Sequence, residues 1–177
     1  VVFLFQPDAT ILDKMLVPKG HADVSYGRSG ENLLFYATPT PNEANGAGVA
    51  GYAQEPIITT LGGTFDIPQS VTVEVPEGCS VTYTTDGTVP TESSSRYSGP
   101  IGISKTTVLR VRAFKSGYNG SDAVSQTYVI YTGESTVQSH KYALPIVSVV
   151  TDPKNLWDTG IGIYVAGADY AEAKGAG

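Results

Sequence analysis

The sequence predicts an all-β chain: an immunoglobulin-like β-sandwich flanked by incomplete β segments. Valine, isoleucine and threonine together supply roughly a quarter of the residues, and these side chains suit a pleated, half-buried surface. Twenty glycines and 11 prolines punctuate the chain at short intervals, as closely spaced turns require. Between these turns the centre of the chain alternates apolar and polar residues at period two, the signature of strands with one buried face.

The first 46 residues hold four strand candidates, "VVFLF", "TILDKMLV", "ADVSY" and "LLFYA", with "QPDA" and "GRSGEN" as turns. Four strands without a facing sheet make a poor independent core. The run "TPTPNEANGAGVAG" (Thr38–Gly51) is proline-rich, then glycine-rich, and reads as a linker, centred on residues 47–55. Residues 56–131 carry the sandwich. In "VTVEV", Val71, Val73 and Val75 share one face. Glu77-Gly78 turns the chain into "SVTYTT", making either a hairpin or a crossing between sheets; Val81 and Tyr83 face inward. In "TVLRVRAF", Leu109, Val111 and Ala113 share the buried side, and Arg110 and Arg112 are expected in solvent. "SQTYVIY" is apolar on both faces, and "EPIITT" and "PIGI" add shorter strands around Ile57 and Ile101. Residues 132–143 form a second linker. Residues 144–177 open with "LPIVSVV", expected as a buried strand, then a short helix with Asp152 and Pro153 at its start, then a return to strand at "DTGIGIYV".

Charged residues are 16% of the chain and hydrophobic residues 41%, too apolar and too weakly charged for a disordered polymer. A formal charge of −6 without a run of Lys or Arg gives no electrostatic footprint for nucleic acid or anionic lipid. Cys79 is the single cysteine, so no internal disulfide can form. "VVFLF" is far shorter than the roughly 20 apolar residues of a membrane helix. Membrane insertion is therefore not expected, and any export signal is expected upstream.

Candidate chemistry is sparse. "GAGVAG" (Gly46–Gly51) matches G-x-G-x-x-G, but a dinucleotide site needs a strand before it and a helix after it; proline-rich chain precedes it and "YAQEP" follows. His21 and His140 are the two histidines, and neither sits in a metal-binding spacing or beside Cys79. Asp152, Asn155 and Asp158 are three apart, which is not the ligand spacing of a calcium loop. Asn119-Gly120-Ser121 is a glycosylation sequon. Asp86, on the turn of "YTTDGTVPT", either holds the turn or contacts a ligand. Tyr97 and Trp157 are the aromatic candidates for a sugar platform, although Trp157 reads better as a core anchor beneath the short helix. No catalytic residue, metal ligand or cofactor site is assigned.

Three stretches resemble known modules. "ADVSYGRSGENLLFYATPTPNEAN" (Ala22–Asn45) resembles the closing strands of a lamin-tail domain. "YTTDGTVPT", "RYSGPI" and "TTVLRVRAFKSGY", within residues 56–130, resemble the small β-sandwich found at the C-terminal end of chitobiase and β-hexosaminidase. "LPIVSVVTDPKNLWDTGIGIYVAG" (Leu144–Gly167) is similar to the opening of the spore-coat CotH family of atypical protein kinases. Together these resemblances imply a non-catalytic spacer or adhesion segment of a larger bacterial surface or secreted protein, with a carbohydrate-binding module as the alternative. The kinase machinery of such a protein would lie downstream. The expected partners are neighbouring domains, a surface glycan or protein, and a second chain joined through unpaired strand edges.

Overall fold

A computed structural model describes residues 1–131 and 146–165. The chain divides into two units, one of residues 1–52 with 117–119, the other of the remaining described residues.

In the first unit, β1 (Val2–Phe5) and β2 (Ile11–Met15) form an antiparallel hairpin, with a register shift between Leu4 and Phe5. A second hairpin joins β3 (Ser25–Ser29) to β4 (Asn32–Tyr36). Its strand starts later than "ADVSY" suggests and runs through Gly27 and Arg28, leaving the reversal to Gly30 at φ +60° and Glu31. Phe35 and Tyr36 are buried. The glycine-rich run expected as free linker packs instead. Val49 exchanges two 2.9 Å backbone hydrogen bonds with Phe35, and a Cβ on Gly48 would stand 2.7 Å from the Leu34 Cβ. Gly48 thus makes room for the neighbouring Leu34 and Tyr36 side chains, a use unrelated to phosphate.

The second unit contains an immunoglobulin-like β-sandwich. Its strands are β5 (Ile57–Ile58), β6 (Gly63–Phe65), β7 (Gln69–Val71), β8 (Val73–Glu74), β9 (Ser80–Thr84), β10 (Ser95–Arg96), β11 (Ile101–Ile103), β12 (Thr107–Phe114) and β13 (Val124–Ile130). One layer is a five-stranded sheet in the order β10-β9-β12-β13-β6; the pairs β7-β11 and β5-β8 form the other. β12 is the longest strand and alternates buried and half-buried residues throughout, so every second side chain enters the core. Leu109, Val111, Ala113, Val81, Tyr128 and Ile130 come from the five-stranded sheet, and meet Ile58, Val71, Val73, Ile101 and Ile103 from the facing pairs. Tyr128 is fully buried, and its hydroxyl donates to the Thr60 carbonyl at 2.5 Å. Burial pushes its phenol up to about 12.

Between β8 and β9 the chain crosses from one layer to the other: β8 pairs with β5, and β9 pairs with β12 and β10. The crossing is a tight turn in which Cys79 N–H donates to Pro76 O and Gly78 takes φ +72°. Such a turn favours glycine at that position. Two expectations fail next to it. Val75 lies beyond the end of β8 and is 43% exposed rather than facing the core. Arg110 and Arg112 are half-buried, because loops fold over that side of the sheet and the guanidiniums hold them. Arg110 donates to Gly87 O at 3.1 Å, and Arg112 donates to Ser121 O at 2.7 Å while lying over the Phe114 ring.

Beyond the sandwich the expected strands do not form. Ile146, Val147 and Val149 are exposed and lie outside any strand, since an apolar run becomes a strand only with an edge to pair with. Leu144 and Pro145 lie outside the described residues. The short helix is present as α1 (Lys154–Trp157), and Asp152 Oδ1 accepts from Lys154 N–H at 3.0 Å. Residues 158–165 then turn rather than extend. Asp158 Oδ1 accepts from Gly160 N–H, and Ile163 N–H returns to Asn155 O.

Candidate functional site

The residues of "YTTDGTVPT" build the site. β9 ends at Thr84 and β10 begins only at Ser95, so the expected tight reversal is a longer loop over residues 85–94. Asp86 and Gly87 start it. Asp86 Oδ1 accepts from both the backbone N–H and the hydroxyl of Thr88, at 3.0 and 2.6 Å, and Gly87 takes φ +85°. Thr84 Oγ1 donates to Thr88 O, and Thr82 Oγ1 donates to Thr91 O. Threonines of the strand thereby fasten the loop that follows it, with Pro90 buried beneath. At the loop's other end Thr91 N–H donates to Ser94 Oγ at 3.0 Å.

This fastening leaves an open cleft of about 420 Å³ between loop and sheet, lined by Tyr83, Thr84, Asp86, Thr88 and Ser93–Ser95. The lining is chiefly hydroxyl groups with one carboxylate. Such a surface offers donors and acceptors to a hydroxylated ligand and little to an apolar one. The two bonds from Thr88, the hydroxyl's first, hold the Asp86 carboxyl below its ordinary value. Asp86 is therefore ionised throughout the neutral range.

The sign of its linkage to stability follows. A depressed folded pKa stabilises the loop above the unfolded value, and that contribution is lost as pH falls through the folded value. In a carboxyl-detected NMR titration Asp86 should show a midpoint below the ordinary aspartate value, and the Thr88 amide should move with it. In Asp86→Ala the Thr88 amide should lose its protection from exchange; a midpoint at or above the ordinary value would contradict the arrangement.

The other sequence candidates lie elsewhere. Tyr97 packs against the core, and its hydroxyl accepts from Val73 N–H at 3.0 Å, tying the segment after β10 to the opposite layer. Trp157 is no core anchor: it is 62% exposed and stacks on Tyr164 with centroids 5.4 Å apart. A four-residue helix has no face broad enough to bury an indole. Cys79 packs at the edge of the core with its thiol toward Glu77 O. His21 stacks on Tyr52 at 3.7 Å, and His140 lies outside the described residues. The sequon is turned inward. Ser121 is buried and its hydroxyl is held between Ala113 N–H and Asp122 O, while Asn119 Nδ2 is shielded from solvent. Sequence reasoning missed the serines at 93–95, which show no motif and reach the cleft only because β10 pairs beside β9.

Among the described residues no group of three or more His, Cys, Asp or Glu side chains is placed to hold a metal ion. None of the helices described is long and apolar enough to cross a membrane.

The fold and its cleft thus define a small immunoglobulin-like module whose polar site is built by one strand-to-strand loop. Residues 60–126 match the family model of the chitobiase/beta-hexosaminidase C-terminal domain. The matched stretch runs from Thr60 into β13 and contains the whole cleft. No curated protein and no solved structure matches the chain.

Proposed function

We propose that the sandwich is a non-catalytic accessory module of a larger secreted or surface protein, where it positions or attaches its neighbours. The observation that carries this reading is the family match over residues 60–126, which holds most of the sandwich. The geometry of the cleft agrees with it. Its single carboxylate is occupied by Thr88, and hydroxyl side chains rather than a base surround it; general acid–base work needs a partner within hydrogen-bond reach of the reacting proton. The lamin-tail-like residues 22–45 and the CotH-like residues 144–167 belong to this reading as the flanking modules of a bacterial parent protein; their support is the residue patterns alone.

The full chain should release no product from chitooligosaccharides and transfer no phosphate from labelled ATP with magnesium. Turnover in either assay that survives repurification would sink the accessory reading.

A second reading, attachment to a saccharide, is favoured by the hydroxyl-lined cleft beside an ionised Asp86. It does not rest on an aromatic strip, because the rings of Tyr83 and Tyr97 pack against the core. A glycan array followed by amide-shift mapping tests it. Shifts confined to residues 84–95 and abolished in Asp86→Ala support the cleft; an array without hits removes the reading and leaves the positioning role intact.

A further inference from the structure

Of the five asparagines in the chain, Asn45 and Asn119 are the two that precede glycine. An asparagine followed by glycine holds an electrophile and a nucleophile side by side, its own amide carbon and the backbone nitrogen of the next residue. Glycine has no Cβ to crowd that nitrogen or to restrict the rotation that brings it to the amide carbon. The structure separates the two dipeptides.

Asn119-Gly120 is closed to this chemistry. The Asn119 side-chain nitrogen is shielded from solvent, and the Asn119 backbone N–H donates to Gly51 O at 2.8 Å. Gly120 is tightly packed: a Cβ there would stand 2.8 Å from the Phe114 ring and 2.9 Å from Arg112 Nε. Its carbonyl also accepts from the Arg112 guanidinium at 3.5 Å. The peptide between the two residues is held against turning.

Asn45-Gly46 is open. Asn45, Gly46 and Ala47 are exposed and lie outside any helix or strand. A Cβ on Gly46 would meet nothing within 4 Å, and among the described residues the Gly46 N–H has no hydrogen-bond partner. The Asn45 side chain is lightly held: Nδ2 donates to Arg28 O on β3 at 3.3 Å, and Oδ1 accepts from the Thr40 hydroxyl at 3.5 Å. Both lengths are at the weak end for hydrogen bonds. They nevertheless tie the chain that follows β4 back to β3, ahead of the point where Val49 pairs with Phe35.

We infer that Asn45-Gly46 is a self-modification site, which converts to isoaspartate and aspartate and thereby releases this strap from β3. The Gly46 nitrogen gives up its proton to a base and attacks Asn45 Cγ. A carbon–nitrogen bond forms, the Cγ–Nδ2 bond breaks, and ammonia leaves with a proton from solvent; a succinimide ring remains. Water then opens the ring, its hydroxyl going to one carbonyl carbon and its proton to the Gly46 nitrogen. Opening at Cγ gives aspartate, and opening at the backbone carbonyl gives isoaspartate, with no oxidant or reductant involved. Either product places a carboxylate, which has no proton to donate, against Arg28 O, so the carbonyl loses its partner and faces a second acceptor. Isoaspartate also adds a methylene to the main chain and shifts the path toward Val49.

Peptide mass spectrometry of the full chain, kept folded in warm, mildly alkaline buffer, tests the site. Residue 45 should pass through the ammonia-loss form to a product one mass unit heavier than asparagine, and an isoaspartyl methyltransferase should label it, while Asn119 stays intact. In urea Asn119 should convert about as fast as Asn45, because the fold alone separates them. The rate at residue 45 should rise with pH, since the Gly46 nitrogen reacts without its proton, and should fall several-fold in Gly46→Ala. In the converted chain and in Asn45→Asp the Ser29 and Val49 amide signals should move, while those of β9 and β12 stay in place. Three results would overturn the inference: Asn45 intact in the folded chain over the time in which unfolded chain converts, folded-state conversion of Asn119 as fast as that of Asn45, or Ser29 and Val49 signals that ignore the conversion.

Discussion

Leu109→Ala should destabilise the sandwich by about 2–5 kcal/mol. Leu109 is 0% exposed and stands in β12, the central strand of the five-stranded sheet. Its partners across the sheet pairs are Gln126 on β13 and, one residue along β12, Thr84 on β9. Truncation removes buried methyl groups and leaves a cavity between two layers whose strands are fixed by hydrogen bonds and cannot collapse inward. A domain of this size loses roughly 4–8 °C of melting midpoint per kcal/mol, so the change is large in any thermal scan. Urea unfolding followed by tyrosine fluorescence gives the free energy directly. Val108→Ala, half-buried on the opposite side of the strand, should cost well under half as much. Equal costs at the two positions would mean that the core is not where the alternation of β12 puts it.

Gly62→Ala and Gly102→Ala should have opposite signs. Both glycines lie outside the left-handed region, so alanine carries no backbone strain at either, and the reduced freedom of the unfolded chain favours the variant by about 0.4–1 kcal/mol. At Gly102 a Cβ meets nothing within 4 Å, and this gain should appear. At Gly62 the Cβ would stand 2.5 Å from the Thr127 carbonyl oxygen and 2.7 Å from Gln126 Oε1. The first of these atoms is backbone, so relief requires β6 to move away from β13. Gln126 Oε1 also accepts from Gly62 N–H at 2.9 Å, and the same movement strains that bond. Overpacking of this kind costs about 1–3 kcal/mol. Exchange protection at Phe65, which faces β13 in the ladder, should fall in Gly62→Ala and stay unchanged in Gly102→Ala; a stabilised Gly62→Ala would show that β6 is not held against β13.

Alternation carried the fold from residues alone wherever a strand has one wet and one buried face. β9 and β12 were legible for that reason, and β13 as a run apolar on both faces. β6 was not, because Gly62-Gly63 reads as punctuation, whereas Gly62 lets the chain approach the neighbouring backbone at Thr127. β10 is two polar residues, Ser95 and Arg96, placed by pairing with Tyr83 and Thr82 rather than by any pattern of their own. Period two also assigned Arg110 and Arg112 correctly to the side away from the core. It could not show that loops return over that side, since loop paths depend on carbonyls that any residue supplies. The apolar run at 146–149 misled in the opposite direction, because hydrophobicity without a pairing edge does not make a strand. At the cleft, Asp86-Gly87 announced a turn, and the turn is present. Its length, and with it the serine side of the cleft, was set by where β10 finds β9, a long-range contact absent from the local sequence.

The parallel pairing of β6 with β13 has a mechanical meaning when the sandwich is pulled from its two ends. Tyr128, Val129 and Ile130 run beside Gly63, Thr64 and Phe65 in the same direction, one strand near the module's entry and the other at its exit. Tension applied through the two chain ends pulls β6 and β13 along their lengths in opposite directions. The bonds between parallel strands are evenly spaced and slanted along the strands, so they are loaded in shear and together rather than unzipped one after another. A sandwich wired this way resists a pull on its two ends before it opens.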